Sequence, residues 1–123
     1  MIKIKAKEAL DVHKHIWNGV ISMIEKDGHC NIHEFKEIAC HDIKICLPGN
    51  CVGCSSLPRN KKTNCENCIL NLGDCMDYYY GFVHHALDKH LLIKLAKKIR
   101  DCGLRPGIDP EQIVHLREII KID

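Results

Sequence analysis

The chain has 123 residues, of which 46% are hydrophobic, enough for one compact core but not for a second. Eighteen Lys and Arg against sixteen Asp and Glu give a formal net charge of +2, so bulk electrostatics does not require a polyanionic partner. No stretch approaches the roughly 18 uninterrupted apolar residues of a membrane span, and the first residues lack the apolar core of a signal peptide. We therefore expect a single cytoplasmic domain over residues 1–123 that does not associate with a membrane.

Two helices are predicted in the first third of the chain. Apolar residues recur every three or four positions over residues 6–26, and Gly28 then supplies the left-handed residue that commonly ends a helix. Asn31, followed three positions later by Glu34, has the form of a capping box and predicts a shorter helix that ends near His41. The residues of this second helix that are expected to face the core are Ile32, Phe35, Ile38 and Ala39.

The last third of the chain also shows helical periodicity. A long helix is predicted from about Cys75 to Asp101, where Gly103 closes it. Asp109 as N-cap and Pro110 at the first helical position predict a further helix. The apolar residues of that helix are Ile113, Leu116, Ile119 and Ile120. The expected fold is mainly α, with about four helices. Residues 4–42 and 75–122 would form a helical scaffold around an inserted loop at 46–75.

The inserted loop lacks apolar periodicity and carries most of the cysteines. Cys51-x2-Cys54 and Cys65-x2-Cys68 are two pairs separated by ten residues, which is the spacing of a four-cysteine zinc site. Two residues between cysteines allow both thiolates to bind one ion at about 2.3 Å, and a structureless loop of about thirty residues in a small domain needs an internal cross-link. Because four protein ligands leave no position for water, this zinc would stabilise the fold rather than catalyse a reaction.

Other interpretations of the cysteines stay open. Cys46 and Cys75 flank these four cysteines, and either could take the place of one of the four ligands. Cys75 is the better candidate of the two. An iron–sulfur cluster also uses four cysteines, although the ferredoxin spacings are absent. The remaining alternative is that these cysteines are reduced thiols or form disulfides, because nine cysteines in so short a chain would suggest a disulfide scaffold if the protein were secreted. The other three, Cys30, Cys40 and Cys102, are expected to be thiols in or beside helices with no chemical role.

The histidines do not predict an active site. His13 lies on the apolar stripe of the first helix and His90 at an equivalent position of the long third helix, so their rings could meet between the two helices. We favour the alternative that His13 is a hydrogen-bonded core histidine. His41-Asp42 is a dipeptide that metal-dependent phosphohydrolases use, and His84-His85 with Asp88 would complement it, but no longer helical array of ligands accompanies them. We therefore expect no catalytic residue, and a hydrolase remains an alternative.

Two features beside the cysteine pairs are candidates for partner contacts. A basic tip within the loop would contact phosphate. Three successive tyrosines open the following helix, and since a helix cannot bury three consecutive side chains on one face, at least one ring stays accessible. The candidate residues are Arg59, Lys61, Lys62, Tyr78, Tyr79 and Tyr80.

The series Glu8-Ala9-Leu10-x2-His13-x3-Trp17-Asn18, Cys51-x2-Cys54, Cys65-x2-Cys68-Ile69-Leu70 and Cys75 before Tyr79-Tyr80 resembles small cysteine-rich proteins of phages and prophages of Firmicutes. The similarity covers roughly residues 6–100. Those proteins often have proline directly after the second cysteine pair, where this chain has Ile69. The resemblance implies a phage-type accessory protein that inhibits or redirects a host macromolecule, for example a component of antiviral defence.

Together these patterns predict a non-enzymatic, zinc-stabilised binding protein whose first expected partner is a host protein. One alternative is a nucleic-acid-binding zinc module that uses Arg59, Lys61 and Lys62, which steeply salt-dependent binding of DNA or RNA would identify. The other is a protein that sequesters or hydrolyses a small nucleotide messenger, which reversible ligand capture or turnover would identify.

Overall fold

The fold is known from a computed structural model that describes residues 2–44, 69–72, 75–84 and 88–116, without the side chains of residues 2, 75–77 and 79. The described residues are mainly helical, as predicted, with four helices and one two-stranded sheet. In chain order the elements are β1 (Ile2–Lys5), α1 (Ala6–Asp27), α2 (Ile32–Asp42), α3 (Cys75–His84), α4 (Lys89–Arg100) and β2 (Ile113–Leu116).

Helix α1 confirms the predicted first helix. At its start the Lys5 amide donates to the Glu8 carboxylate at 3.0 Å, and at its end Gly28 adopts φ 73° and donates its amide to the Ile24 carbonyl at 2.8 Å. A non-glycine residue would be strained at that φ. The buried face of α1, which makes contacts with both α2 and α4, consists of Ala6, Ala9, His13, Ile16, Trp17, Val20, Ile21 and Ile24.

Helix α2 confirms the predicted N-cap but corrects the predicted core face. The Asn31 side chain accepts a hydrogen bond from the Glu34 amide at 3.3 Å. Ile38, expected inside, is 41% exposed, because the buried stripe runs through positions 32, 35, 36, 39 and 40 and leaves position 38 to one side. The stripe instead buries Lys36, whose Nζ lies 5.8 Å from the centroid of the Trp17 ring.

Gly19 allows α2 to pack closely on α1. A Cβ at this position would lie 3.0 Å from the Cβ of Ala39, closer than ordinary van der Waals contact. The same device operates between α3 and α4, where a Cβ at Gly81 would lie 2.9 Å from a methyl carbon of Leu95.

The single long helix predicted over residues 75–101 is wrong, because the chain forms two helices there. Asp88 has non-helical backbone angles and acts as the N-cap of α4, with its carboxylate accepting from the Leu91 amide at 3.2 Å. Helix α3 is fixed to the core by Phe82, which is 1% exposed and stacks on Trp17 with ring centroids 5.8 Å apart. Leu92, Ala96 and Ile99 bury the inner face of α4.

The helix predicted to begin at Asp109 is also wrong for residues 109–116. The Asp109 carboxylate accepts from the Glu111 amide at 2.9 Å, which makes a turn, and Ile113–Leu116 then forms β2. Strand β2 pairs antiparallel with β1 and places Ile4 opposite Val114. Val114 and Leu116 are buried while Ile113 and His115 are exposed, so these residues follow the two-residue period of a strand. Ile119 and Ile120 lie outside the described residues.

The turn before β2 also closes the start of α1. The amides of Ala6 and Lys7 donate to the carbonyls of Gln112 and Pro110 at 2.7 and 3.0 Å, which satisfies two of the amides that a helix N-terminus leaves without partners. The Glu111 carboxylate binds the ammonium groups of Lys5 and Lys7 at 2.8 and 2.6 Å. Hydrogen bonds from Lys5 and then Lys7 lower the pKa of Glu111 below its ordinary value of 4.5.

Truncating Phe82 is expected to destabilise the fold, because it removes a fully buried ring that joins α3 to α1. Phe82→Ala should lower the free energy of unfolding by about 3–5 kcal/mol, and Phe82→Leu by less, as measured by urea denaturation. The neighbouring Val83, which is 69% exposed, provides the matched control. Val83→Ala should change stability by no more than about 0.5 kcal/mol. Equal effects at the two positions would contradict the described orientation of α3.

The ion pairs of Glu111 are expected to contribute to the free energy of unfolding at neutral pH and to lose this contribution in acid. Since its pKa is lower in the folded state, its contribution is complete above the unfolded-state pKa near 4.5 and is lost as the pH falls through the folded-state pKa. In thermal melts across this range, Glu111→Gln should lose less stability on acidification than the unsubstituted chain. Glu25→Gln, which alters an exposed carboxylate in the last turn of α1, is the control and should retain the full decline.

Candidate functional site

The predicted zinc ligands lie outside the described residues. This is true of Cys51, Cys54, Cys65 and Cys68 and of the substitute Cys46, while the other substitute, Cys75, begins α3 with its side chain outside the description. The basic candidates Arg59, Lys61 and Lys62 also lie outside. The zinc site therefore stays a prediction. Among the described residues, no group of three or more His, Cys, Asp or Glu side chains is arranged to hold a metal ion.

The residues that follow the second cysteine pair are anchored to the loop after α4. Ile69 and Leu70, which come directly after Cys68 in sequence, are 6% and 1% exposed. The Ile69 carbonyl accepts from the Arg105 amide at 2.8 Å, and the Asn71 amide donates to the Gly103 carbonyl at 3.0 Å. Leu70 forms an isolated antiparallel bridge with Leu104. The chain thus leaves the cysteine segment at a fixed point on the core.

Cys30, Cys40 and Cys102, which the structure describes, form no disulfide bonds. Cys30 and Cys40 are buried, and burial raises the pKa of the Cys30 thiol to about 12, so this sulfur stays protonated at neutral pH. A protonated thiol is a poor metal ligand, because metals bind the thiolate. Cys102 is half-buried, and its thiol donates to the Gly103 carbonyl at 3.4 Å. These contacts agree with the structural role expected from the sequence.

His13 is the hydrogen-bonded core histidine that the sequence predicted. It is 1% exposed, and its Nε2 lies 2.8 Å from the Ile99 carbonyl, to which it donates. Because this nitrogen carries the proton, it cannot accept one from Cys102, whose sulfur lies 3.8 Å away. The pair is therefore not arranged as a thiolate–imidazole nucleophile. The alternative, in which the rings of His13 and His90 meet, does not apply, since His90 is exposed on the first turn of α4.

One side of α3 presents apolar and aromatic side chains to solvent. Tyr80 and Val83, one helical turn apart, are 67% and 69% exposed. The Tyr80 ring packs against His84 with centroids 4.4 Å apart, which restricts its rotation. Tyr78 is half-buried, and the side chain of Tyr79 is not among those that the structure describes. The expectation that at least one of the three tyrosines stays accessible is therefore confirmed at Tyr80.

Helix α4 adds a basic surface that the sequence analysis did not identify. Its sequence KHLLIKLAKKIR contains five Lys and Arg and no acidic residue, and each of its lysines is exposed. Lys97 and Lys98 border an open cleft that also involves Asn71 and Tyr78. The sequence shows this surface as a run of residues that contains lysines and arginine but no carboxylate. The prediction of one long helix over residues 75–101 did not separate this basic run from the residues before it.

No protein-family model, curated protein or solved structure matches this chain significantly. Among the described helices, none is both long and apolar enough to cross a membrane.

We expect the purified chain to contain one zinc ion, measurable by inductively coupled plasma mass spectrometry. Cys54→Ser should abolish stoichiometric zinc and lower the thermal transition, because folding coupled to zinc binding contributes about 10 kcal/mol or more in small zinc modules. Cys46→Ser and Cys75→Ser would show whether either residue is the fourth ligand. Cys102→Ala is the control and should retain zinc. A metal-free chain whose melting is unchanged by exhaustive chelation would contradict the prediction.

Proposed function

We propose that this chain is a non-enzymatic, zinc-stabilised binding protein that docks a host protein through the exposed side of α3. The observation that carries the proposal is the pair of exposed side chains Tyr80 and Val83 on a helix that begins at Cys75. Exposed apolar and aromatic groups in contiguous positions commonly mark sites of protein association.

The surroundings of Tyr80 favour a contact with another protein. An aromatic ring with a hydroxyl group offers a large apolar area and a hydrogen-bonding group while losing few rotatable bonds on binding. The contact with His84 already limits the conformations of the ring, so less entropy is lost when a partner covers it. Tyrosine is among the residue types that contribute most at protein interfaces.

The opposite side of α3 supports the exposed side by fixing the helix. Phe82 stacks on Trp17 and Gly81 lies against Leu95, so the inner surface is held by both α1 and α4. A partner would meet a helix whose outer surface is already positioned. In this proposal the zinc ion orders the polar cysteine segment that precedes α3 in sequence and makes it a second part of the docking surface.

The resemblance to cysteine-rich phage proteins supports the choice of a host protein as partner. Small accessory phage proteins commonly act by binding a host target, and the proposed role needs no catalytic group. Among the described residues, His13 and Cys102 each make a hydrogen bond to a backbone carbonyl. We propose inhibition or redirection of the bound protein, for example a component of antiviral defence, as the outcome.

Binding of the host protein is expected to be lost when the apolar side chains of the docking surface are replaced by small polar ones. The chain carrying Tyr80→Ser and Val83→Ser should lose the host protein that the unsubstituted chain captures from a Firmicutes lysate, with affinity lowered by about 30-fold or more, the loss typical of one interface hot spot. Both positions are exposed, so the thermal transition should stay the same.

Ile113 supplies the matched control, because it is an apolar residue that is 54% exposed on β2. Ile113→Ser should retain the captured protein. If both variants capture the same proteins as the unsubstituted chain, the α3 surface is not the docking site. Purified captured protein should then reproduce the affinity difference in a direct titration.

A further inference from the structure

A cleft opens where the last turn of α4 faces the first half of α3. Its volume is about 420 Å³, within the range of roughly 300–1,000 Å³ that is typical of small-molecule sites. The residues that line it are Asn71, Tyr78, Lys97, Lys98, Asp101 and Cys102. Tyr80 and Val83, the exposed residues of the proposed docking surface, do not line this cleft.

The described residues that line this cleft carry more positive than negative charge. Among them Asp101 is the one carboxylate, and its oxygens accept from the Arg100 guanidinium at 2.9 and 3.1 Å. Arg100 makes the largest contribution to lowering the pKa of Asp101, and Lys14 and Lys97 add to it. Because Arg100 compensates Asp101, the ammonium groups of Lys97 and Lys98 leave an excess of positive charge for an anion.

The placement of Arg100 is itself fixed by a third contact. Its guanidinium also donates to the Asn18 side chain on α1 at 3.0 Å. Arg100 therefore connects α1 with the residue that follows α4, and it is paired with the Asp101 carboxylate.

Two other lining residues, Tyr78 and Asn71, could bind a flat ring and the polar groups at its edge. Tyr78 is half-buried and packs against the core, and Lys98 Nζ lies over its ring, 5.9 Å from the ring centroid. Asn71 is exposed, its backbone is held by Gly103, and its side-chain amide can both donate and accept hydrogen bonds.

Lysines near a helix C-terminus also interact favourably with the helix dipole, which by itself accounts for their position in the last turn. The dipole does not account for the recess, the neighbouring tyrosine or the compensation of Asp101. These features together match a ligand that combines negative charge with a flat ring bearing hydrogen-bonding groups.

We propose that the cleft binds a nucleoside phosphate. Lys97 and Lys98 contact the phosphate groups, the base takes the place of the Lys98 ammonium over the Tyr78 ring, and Asn71 bonds to the edge of the base. A free nucleotide and the end of a single-stranded nucleic acid share this chemistry. The site is independent of the protein partner proposed for α3, so either one would stand if the other failed.

The proposal is tested by calorimetric titration of the full chain with ATP, GTP, thymidine triphosphate, inorganic phosphate and an eight-residue oligothymidylate at equal ionic strength. ATP should bind, and Lys97→Gln with Lys98→Gln should weaken binding by about tenfold or more. The matched control, Lys89→Gln with Lys94→Gln, removes the same charge from the same helix outside the cleft lining and should weaken binding by less than about threefold. Asn71→Ala should change the preference between ATP and GTP.

Each outcome decides the proposal. Tighter binding of the oligothymidylate than of thymidine triphosphate supports a strand end as the natural ligand, and the reverse supports a free nucleotide. The proposal is overturned if ATP does not bind at millimolar concentration, if inorganic phosphate binds as tightly as ATP, or if the two double variants lose affinity equally. An unchanged thermal transition in each variant ensures that lost binding is not lost folding.

Discussion

The hydrogen bond between His13 and the Ile99 carbonyl joins the two helices on which the rest of the structure depends. It lies in the interface of α1 and α4, and both partners are removed from water, so breaking it would leave buried polar groups unsatisfied. The apolar groups around it are shared, since α1 also packs on α2 and, through Trp17, on α3. A displacement of α1 would therefore disturb each of the other helices at once.

This central position of α1 determines how the two candidate surfaces are held. Phe82 on Trp17 fixes α3, so the outward direction of Tyr80 follows from a contact on the opposite side of the same helix. Arg100 reaches Asn18 of α1, and this contact positions the end of α4 beside the cleft. The backbone bonds of Ile69 and Asn71 to the loop after α4 complete the support. Packing in the core thus sets the geometry of groups that lie at the surface.

The sequence predicted the elements whose signals are local. Helices α1 and α2 follow from apolar periodicity together with Gly28 and Asn31, each of which acts within one turn of the chain. His13 was also correctly interpreted, because a histidine within an apolar stripe needs a buried partner. The mainly α class follows from the same patterns.

Other features depend on interactions that a linear pattern does not specify. The break before α4 depends on Asp88, a single cap inside an apolar period that continues on both sides. The pattern after Asp109 fits a helix, but pairing with β1 more than a hundred residues away selects a strand. The two cysteine pairs are a separate case. Their spacing predicts a zinc site, but these residues lie outside the described part of the chain, so the zinc site stays a prediction.

The pairing of β1 with β2 has a consequence for the order in which the chain acquires its structure during synthesis. The α1–α2 hairpin is made of contacts between near neighbours and can form early, whereas the acceptors for the first amides of α1 are the carbonyls of Gln112 and Pro110. Those carbonyls follow the start of α1 by more than a hundred positions and reach it only after that length of chain has left the ribosome. Helix α1 is therefore synthesised well before the residues that close its N-terminus, and this end remains open to water or to a chaperone until then.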